Sequence, residues 1–194
     1  MGSGFQGIVL AGGKSSRFGE DKALARIGNR TLIEIAVRLL DELDLRPAVI
    51  ANEERDYSFL DCPIYFDLIP EKGPMGGLYT ASCLFKDRSL VVLSCDMPAI
   101  DLAILKLLLE VHDPAKKITL FSVGGQMQPF PGVYEAKMLG LLLDKIRNGQ
   151  LSMHRFVCEV GSCAAISASL GEQAFANINR KEDIFKFRDV LKDA

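Results

Sequence analysis

Short, mostly apolar runs alternate with segments of helical periodicity along most of this chain, and that alternation limits the fold more than any other feature. Gly7 to Ala11, Arg46 to Ala51, the run PIYF ending at Phe66, Leu90 to Ser94, Lys117 to Val123 and Phe130 to Tyr134 have strand length and strand composition. Between and after them, Thr31 to Leu43, Gly76 to Phe85, Leu102 to His112 and Ala136 to Arg147 have helical spacing. Thr31 and Glu34 form a capping box, Asp101 is placed to cap the helix after it, and Ser152 opens a short helix through Phe156. A further strand is expected at Phe175 to Ile178, and a last helix capped by Asn179 with Glu182. Strands that are apolar throughout are covered on both faces. The pattern therefore predicts a three-layer α/β/α sandwich on a mostly parallel sheet.

Size and charge narrow the class. At 194 residues, 48% of them hydrophobic, the chain suits one well-buried domain over 1–194 and is short for two. A net charge of −2 without a long basic run argues against a nucleic-acid partner. The five cysteines are odd in number and scattered, with no C-x-x-C, so neither a disulfide framework nor a zinc site is expected and a reducing cytoplasm fits. No apolar run reaches the roughly 18 residues of a membrane span, and no signal peptide is expected.

Parallel sheets build their sites beyond the carboxyl ends of the strands. The first such end here is GIVLAGGKSSRFGEDK. It fails the Walker spacing, because the position five before Gly13 is Ile8, and it fails G-x-G-x-x-G as well. What remains is a strand running into glycines that admit close backbone approach to an anion, with Lys14, Arg17 and Lys22 nearby to meet a triphosphate. A solvated turn is the alternative. Other strand ends lead to Asn52, Asp67 and Asp96, polar groups suited to a nucleotide and a metal. Asp96 leaves an apolar strand just before Pro98, which would fix it as a ligand for a hard cation such as Mg²⁺; a cap or turn role is the alternative, but Asp101 is better placed to cap. Gly73, Gly76 and Gly77 suit close approach to a ribose or base, or are plain turn glycines. His154 has the placement of a surface or packing histidine.

LAGGKSSRFGEDKALARIGNRTLIE resembles the L-A-G-G-x-S-x-R-x-G-x-D-K signature of nucleotidyltransferases related to molybdenum cofactor guanylyltransferase. GPMGGL, CDMP and FANINRKEDI resemble three further motifs of that family, in order from Gly7 to about Ile184. The resemblance implies a Rossmann-like nucleotidyltransferase fold and transfer of GMP from GTP to the phosphate of molybdopterin, with release of pyrophosphate. It places Leu10, Ala11, Gly12 and Gly13 around the nucleotide, Lys22 at its phosphates, Asn52 and Asp67 at the guanosine, and Asp96 on Mg²⁺. Arg17 would join Lys22 and Asp96 in catalysis; Gly76, Gly77, Asn177 and Asn179 would lie on the substrate side. The implied partners are GTP and molybdopterin, together with molybdoenzymes or their chaperones. Phe18 stands where the family commonly has Met, and GGQMQPFPGVY matches the family's substrate-side strand loosely. A cytidylyltransferase for molybdopterin, a transferase for another phosphorylated small molecule, and a nucleotide-binding regulator without activity are the competing expectations.

Overall fold

The computed structural model describes residues 4–12, 18, 21–52, 56–160, 163–167 and 172–187. In chain order, β1 (Phe5–Ala11) leads to a small hairpin, β2 (Arg26–Ile27) and β3 (Arg30–Thr31), then α1 (Leu32–Asp41), β4 (Ala48–Ala51), β5 (Ile64–Phe66) and α2 (Pro74–Leu84). There follow β6 (Ser89–Ser94), α3 (Leu102–Glu110), β7 (Ile118–Val123), β8 (Gln126–Glu135), α4 (Leu139–Arg147), α5 (Met153–Glu159), β9 (Cys163–Ser167) and α6 (Ile184–Phe187).

Among the described residues, seven strands form one sheet in the order β5-β4-β1-β6-β8-β7-β9. The β5, β4, β1 and β6 neighbours are parallel, as are β7 and β9, while β8 runs antiparallel to both β6 and β7. Along β1 successive residues serve opposite faces. Val9 and Ala11 pack with Ile33, Val37 and Leu40 of α1 and Leu105 and Leu108 of α3. Ile8 and Leu10 pack with Met75 and Leu78 of α2, Leu142 of α4 and Phe156 of α5. From Gly7 to Ala11 the strand is apolar because both of its faces are buried, and the three-layer sandwich follows.

Local signals set several boundaries as expected. Thr31 Oγ1 accepts the Glu34 amide and the Glu34 carboxylate accepts the Thr31 amide, closing the capping box at α1. Asp101 accepts the Ile104 amide and Ser152 the Arg155 amide, capping α3 and α5. Other boundaries moved. Strand β4 begins at Ala48, not Arg46, because Asp44 and Arg46 take left-handed backbone angles (φ 55° and 47°) that turn the chain out of α1. Helix α2 begins at Pro74, whose missing amide is no loss in a first turn.

Near the C-terminus two expectations are corrected. Phe175 to Ile178 is not a strand: Glu172–Phe175 form a 3-10 turn, and the strand is β9, which pairs in parallel with β7. Phe175 and Ile178 are buried, but in different clusters, with Phe175 edge-on to Phe121 and Ile178 beside Phe18, Leu32 and Phe187. Their spacing marks two anchors on an irregular segment. Nor do Asn179 and Glu182 cap the last helix. The Asp183 carboxylate accepts the amides of Asn179 and Arg180 instead, because reaching back one turn serves two donors at once. Lys186 and those two amides hold the Asp183 carboxyl down at about 2.

Candidate active site

The chain changes direction across the sheet at β1, with β4 and β5 on one side and β6 on the other. The crevice outside such a switch point is where open α/β sheets bind ligands. Gly12, Asn52 and Asp67 each directly follow a strand that ends there, and Asp96 lies two residues past the end of β6.

On one side of the crevice the backbone comes close to polar side chains. A Cβ on Gly12 would lie 2.4 Å from Asn52 Oδ1, so glycine lets the loop after β1 lie directly against the Asn52 side chain as it stands. Asp67 is 8% exposed. Its Oδ1 accepts the Thr80 hydroxyl at 2.8 Å and the Ile69 amide at 3.0 Å. Thr80 Oγ1 in turn accepts the Leu68 amide at 2.9 Å. Asp67 Oδ2 is buried, has no hydrogen-bond partner among the described residues, and faces Gly76, whose added Cβ would lie 2.6 Å from it. Burial pushes the Asp67 carboxyl up, against the two hydrogen bonds that lower it. Gly77, also buried in the first turns of α2, packs against Leu10.

Charge concentrates on the other side. Asp21 caps a 3-10 turn, Lys22–Leu24, by accepting the Ala23 amide at 3.1 Å. Lys22 leaves that turn and its Nζ lies 2.6 Å from Asp96 Oδ2, joining residues 74 positions apart. Ser94 donates its hydroxyl to Asp96 Oδ1 at 2.6 Å. Both carboxylate oxygens are thus held by donors, at 15% exposure for Asp96 and 23% for Lys22. The Asp96 carbonyl accepts the Ile178 amide at 2.8 Å, which brings the exposed Asn177 and Asn179 to the same rim. Neighbouring Cys95 is buried, its thiol pushed up to about 12 by burial and then by Asp96, so it is no nucleophile here.

Of the residues singled out from the sequence, Leu10, Ala11, Gly12, Lys22, Asn52, Asp67, Gly76, Gly77, Asp96, Asn177 and Asn179 all lie at this end of the sheet or on the segment docked to it. Gly13, Lys14 and Arg17 fall outside the described residues. Ser94, Thr80 and Tyr57 were not singled out for the site. Ser94 had a signal in the sequence, being the polar residue that ends an apolar strand two before Asp96; Thr80 and Tyr57 had none.

Residues 7–159 match the MobA-like NTP transferase domain, over most of the chain. The chain belongs to that family. Its relatives include a Flavobacterium johnsoniae protein named "Probable molybdenum cofactor guanylyltransferase", 30% identical over 153 residues, which are 79% of this chain and 80% of that protein. A Bacillus subtilis protein of the same name is 30% identical over 187 residues, 91% of this chain and 90% of that one. A crystal structure of an Aquifex aeolicus VF5 protein superposes with a TM-score of 0.77 at 27% identity, covering 90% of this chain and 93% of that one. An Archaeoglobus fulgidus molybdopterin-guanine dinucleotide biosynthesis protein A shares the fold at a TM-score of 0.82 and 19% identity, covering 98% and 100%. As a MobA-like transferase domain the chain is a nucleotidyltransferase with the Rossmann-like sandwich of its structural neighbours. Among the described residues no helix is long and apolar enough to cross a membrane.

Proposed function

We propose that this nucleotidyltransferase moves GMP from GTP to the phosphate of molybdopterin and releases pyrophosphate. The observation that carries the proposal is the contact between Lys22 and Asp96, a cation from the 3-10 turn after β1 and a carboxylate just past β6, brought together at the mouth of the switch point. The relatives' name, molybdenum cofactor guanylyltransferase, supports a guanylyl donor and an acceptor of the molybdenum cofactor class. The acceptor phosphate has a second pKa of about 6 and is largely ionised at neutral pH, so its attack on the α-phosphorus needs no strong base. What this chain supplies is alignment and charge. The loop at Gly12 offers backbone amides, Lys22 and Arg17 meet the charge that grows on the departing pyrophosphate, and Asp67 with Asn52 lines the base pocket.

Asp96 fits a magnesium ion. A single carboxylate at a strand end, with no cluster of three or more metal-binding side chains among the described residues, suits a hard cation that takes its other ligands from water and phosphate. When bound, Mg²⁺ would polarise the phosphates as a Lewis acid. Ser94 orients the carboxylate that would hold it. Molybdoenzymes or their chaperones would receive the product, in the cytoplasm.

The test is pyrophosphate release from GTP, CTP, ATP and UTP with molybdopterin as acceptor. GTP should be preferred, and Lys22→Ala and Asp96→Ala should each lower turnover at least about a hundredfold, as expected for loss of one charge-stabilising group worth about 2.7 to 4 kcal/mol. Wild-type turnover in either folded variant would refute the roles given. Preference for CTP would make the protein a cytidylyltransferase, and nucleotide binding without turnover would make it a regulator.

A further inference from the structure

We infer that Tyr57 is a positioning residue for Lys22, acting through Asp21. Tyr57 lies in the connection between β4 and β5, outside every helix and strand, and yet it is 0% exposed. Its ring packs edge-on to Phe59, with centroids 6.4 Å apart. A phenylalanine would fill such a site without bringing a hydroxyl that needs a partner. The hydroxyl of Tyr57 is aimed: it donates to Asp21 Oδ2 at 2.7 Å, across 36 positions of sequence.

Asp21 uses its other oxygen to accept the Ala23 amide and so opens the turn that carries Lys22. That turn is three residues long, closed by Leu24 donating to the Asp21 carbonyl at 3.1 Å and Ala25 to the Lys22 carbonyl at 3.0 Å. So short a 3-10 turn has almost no stability of its own. Lysine is long and loses much rotamer freedom when its ammonium is held in one place. The direction in which Lys22 leaves the backbone therefore depends on the cap, and the cap carboxylate is clamped by a fully buried phenol. The line runs from the Tyr57 hydroxyl to Asp21, through the turn to Lys22, and from Lys22 Nζ to Asp96 at 2.6 Å. Tyr57 acts in this line through Asp21. It fixes the frame from which the ammonium reaches the crevice.

The inference rests on the proposed role of Lys22 at the phosphates, and a double-mutant cycle separates the two. Pyrophosphate release from GTP, with molybdopterin as acceptor, would be measured for the full chain as wild type, Tyr57→Phe, Lys22→Met and the double variant, with urea unfolding to confirm that each is folded. Tyr57→Phe keeps the buried ring and removes only the hydroxyl. It should lower kcat about tenfold while KM for GTP stays within about threefold, and it should add less than about twofold to the loss already caused by Lys22→Met. A general packing defect would instead give the same fold-loss in both backgrounds, and that result would overturn the inference. So would a Tyr57→Phe variant with kcat within about twofold of wild type while Lys22→Met is crippled; the role of Lys22 would then stand and that of Tyr57 would fall. Wild-type turnover in Lys22→Met would overturn both.

Discussion

Replacing Thr80 by valine probes the base-side wall of the crevice with almost no change of shape. Thr80 is 0% exposed, and its hydroxyl both donates to Asp67 Oδ1 (2.8 Å) and accepts from the Leu68 amide (2.9 Å). Losing the bond to a carboxylate costs about 1.5 to 3 kcal/mol, and an amide left partly buried and unpaired costs about 1 more. Burying a methyl group in place of the hydroxyl returns about 0.8 kcal/mol. The net expectation is a loss of about 2 to 3 kcal/mol, or about 4 to 12 °C in Tm for a chain of this size. Thr80→Ser keeps both hydrogen bonds and gives up one buried methyl, so it should lose only about 1 kcal/mol. Urea unfolding of the two variants decides the matter, since the more apolar valine should be the less stable. The deficit of Thr80→Val should also shrink on acidification. Burial already raises the Asp67 carboxyl above its unfolded value, so the ionised form is the strained one. That strain is relieved as pH falls through the folded-state pKa, and Thr80 has less charge left to satisfy. A valine variant as stable as the serine variant at pH 7 would refute the view that Thr80 holds Asp67 in place.

Gly12→Ala should leave global stability within about 1 kcal/mol, because the clash at 2.4 Å is with the end of the Asn52 side chain, which can turn aside. Asn52 would then be displaced from the crevice, and GTP affinity by titration calorimetry should fall at least about tenfold; an unchanged Kd would count against a nucleotide at that loop. His112 gives a second pH dependence. Its ring sits 3.1 Å from Thr119 Oγ1 and 3.2 Å from Glu135, and burial pulls its pKa down against the opposing pull of Glu135 and Asp113, with Lys137 adding to the lowering. The unfolded chain therefore takes up this proton first. Stability should fall as pH drops below about 6.5, by at most about 1.4 kcal/mol per pH unit, and His112→Gln should flatten that slope in pH-dependent urea unfolding.

Features legible in the sequence were those whose signal is local. Thr31, Asp101 and Ser152 each bind an amide three residues on, so a short window contains the whole interaction. The apolar run of β1 reports two covered faces by its composition alone. Asp96 stood out because a carboxylate just beyond the four buried residues of β6 is costly to hold there unless a cation or a donor meets it. What stayed hidden depends on partners far along the chain. The 74 positions from Lys22 to Asp96 and the 36 from Asp21 to Tyr57 leave no periodic trace. Strand β9 was missed because CAAIS has little of the β-branched and aromatic content that marks strands, and its place is set by pairing with β7. Phe175 and Ile178 have strand-like spacing, yet they are apolar anchors for two separate clusters.

The pairing of Lys22 with Asp96 has a consequence for cation binding under the proposed function. With Ser94 on one carboxylate oxygen and the Lys22 ammonium 2.6 Å from the other, a divalent cation that approaches Asp96 must displace a positive charge already in contact with it. Nucleotide phosphates offer Lys22 another partner, so the ammonium can leave Asp96 without being stranded. Two charges about 4 Å apart at an effective dielectric constant of 20 interact by about 4 kcal/mol, and water regaining the separated groups offsets much of that. A net effect of about 1.4 kcal/mol is a factor of about ten in affinity. Lys22→Met should therefore bind Mn²⁺ alone about tenfold more tightly than the wild type, even as its turnover collapses. Electron paramagnetic resonance of free Mn²⁺ during titration, without nucleotide, measures this directly. Equal or weaker Mn²⁺ binding by Lys22→Met would show that the lysine and the cation do not compete for one carboxylate, and Lys22 would then have to serve the phosphates from where it already stands.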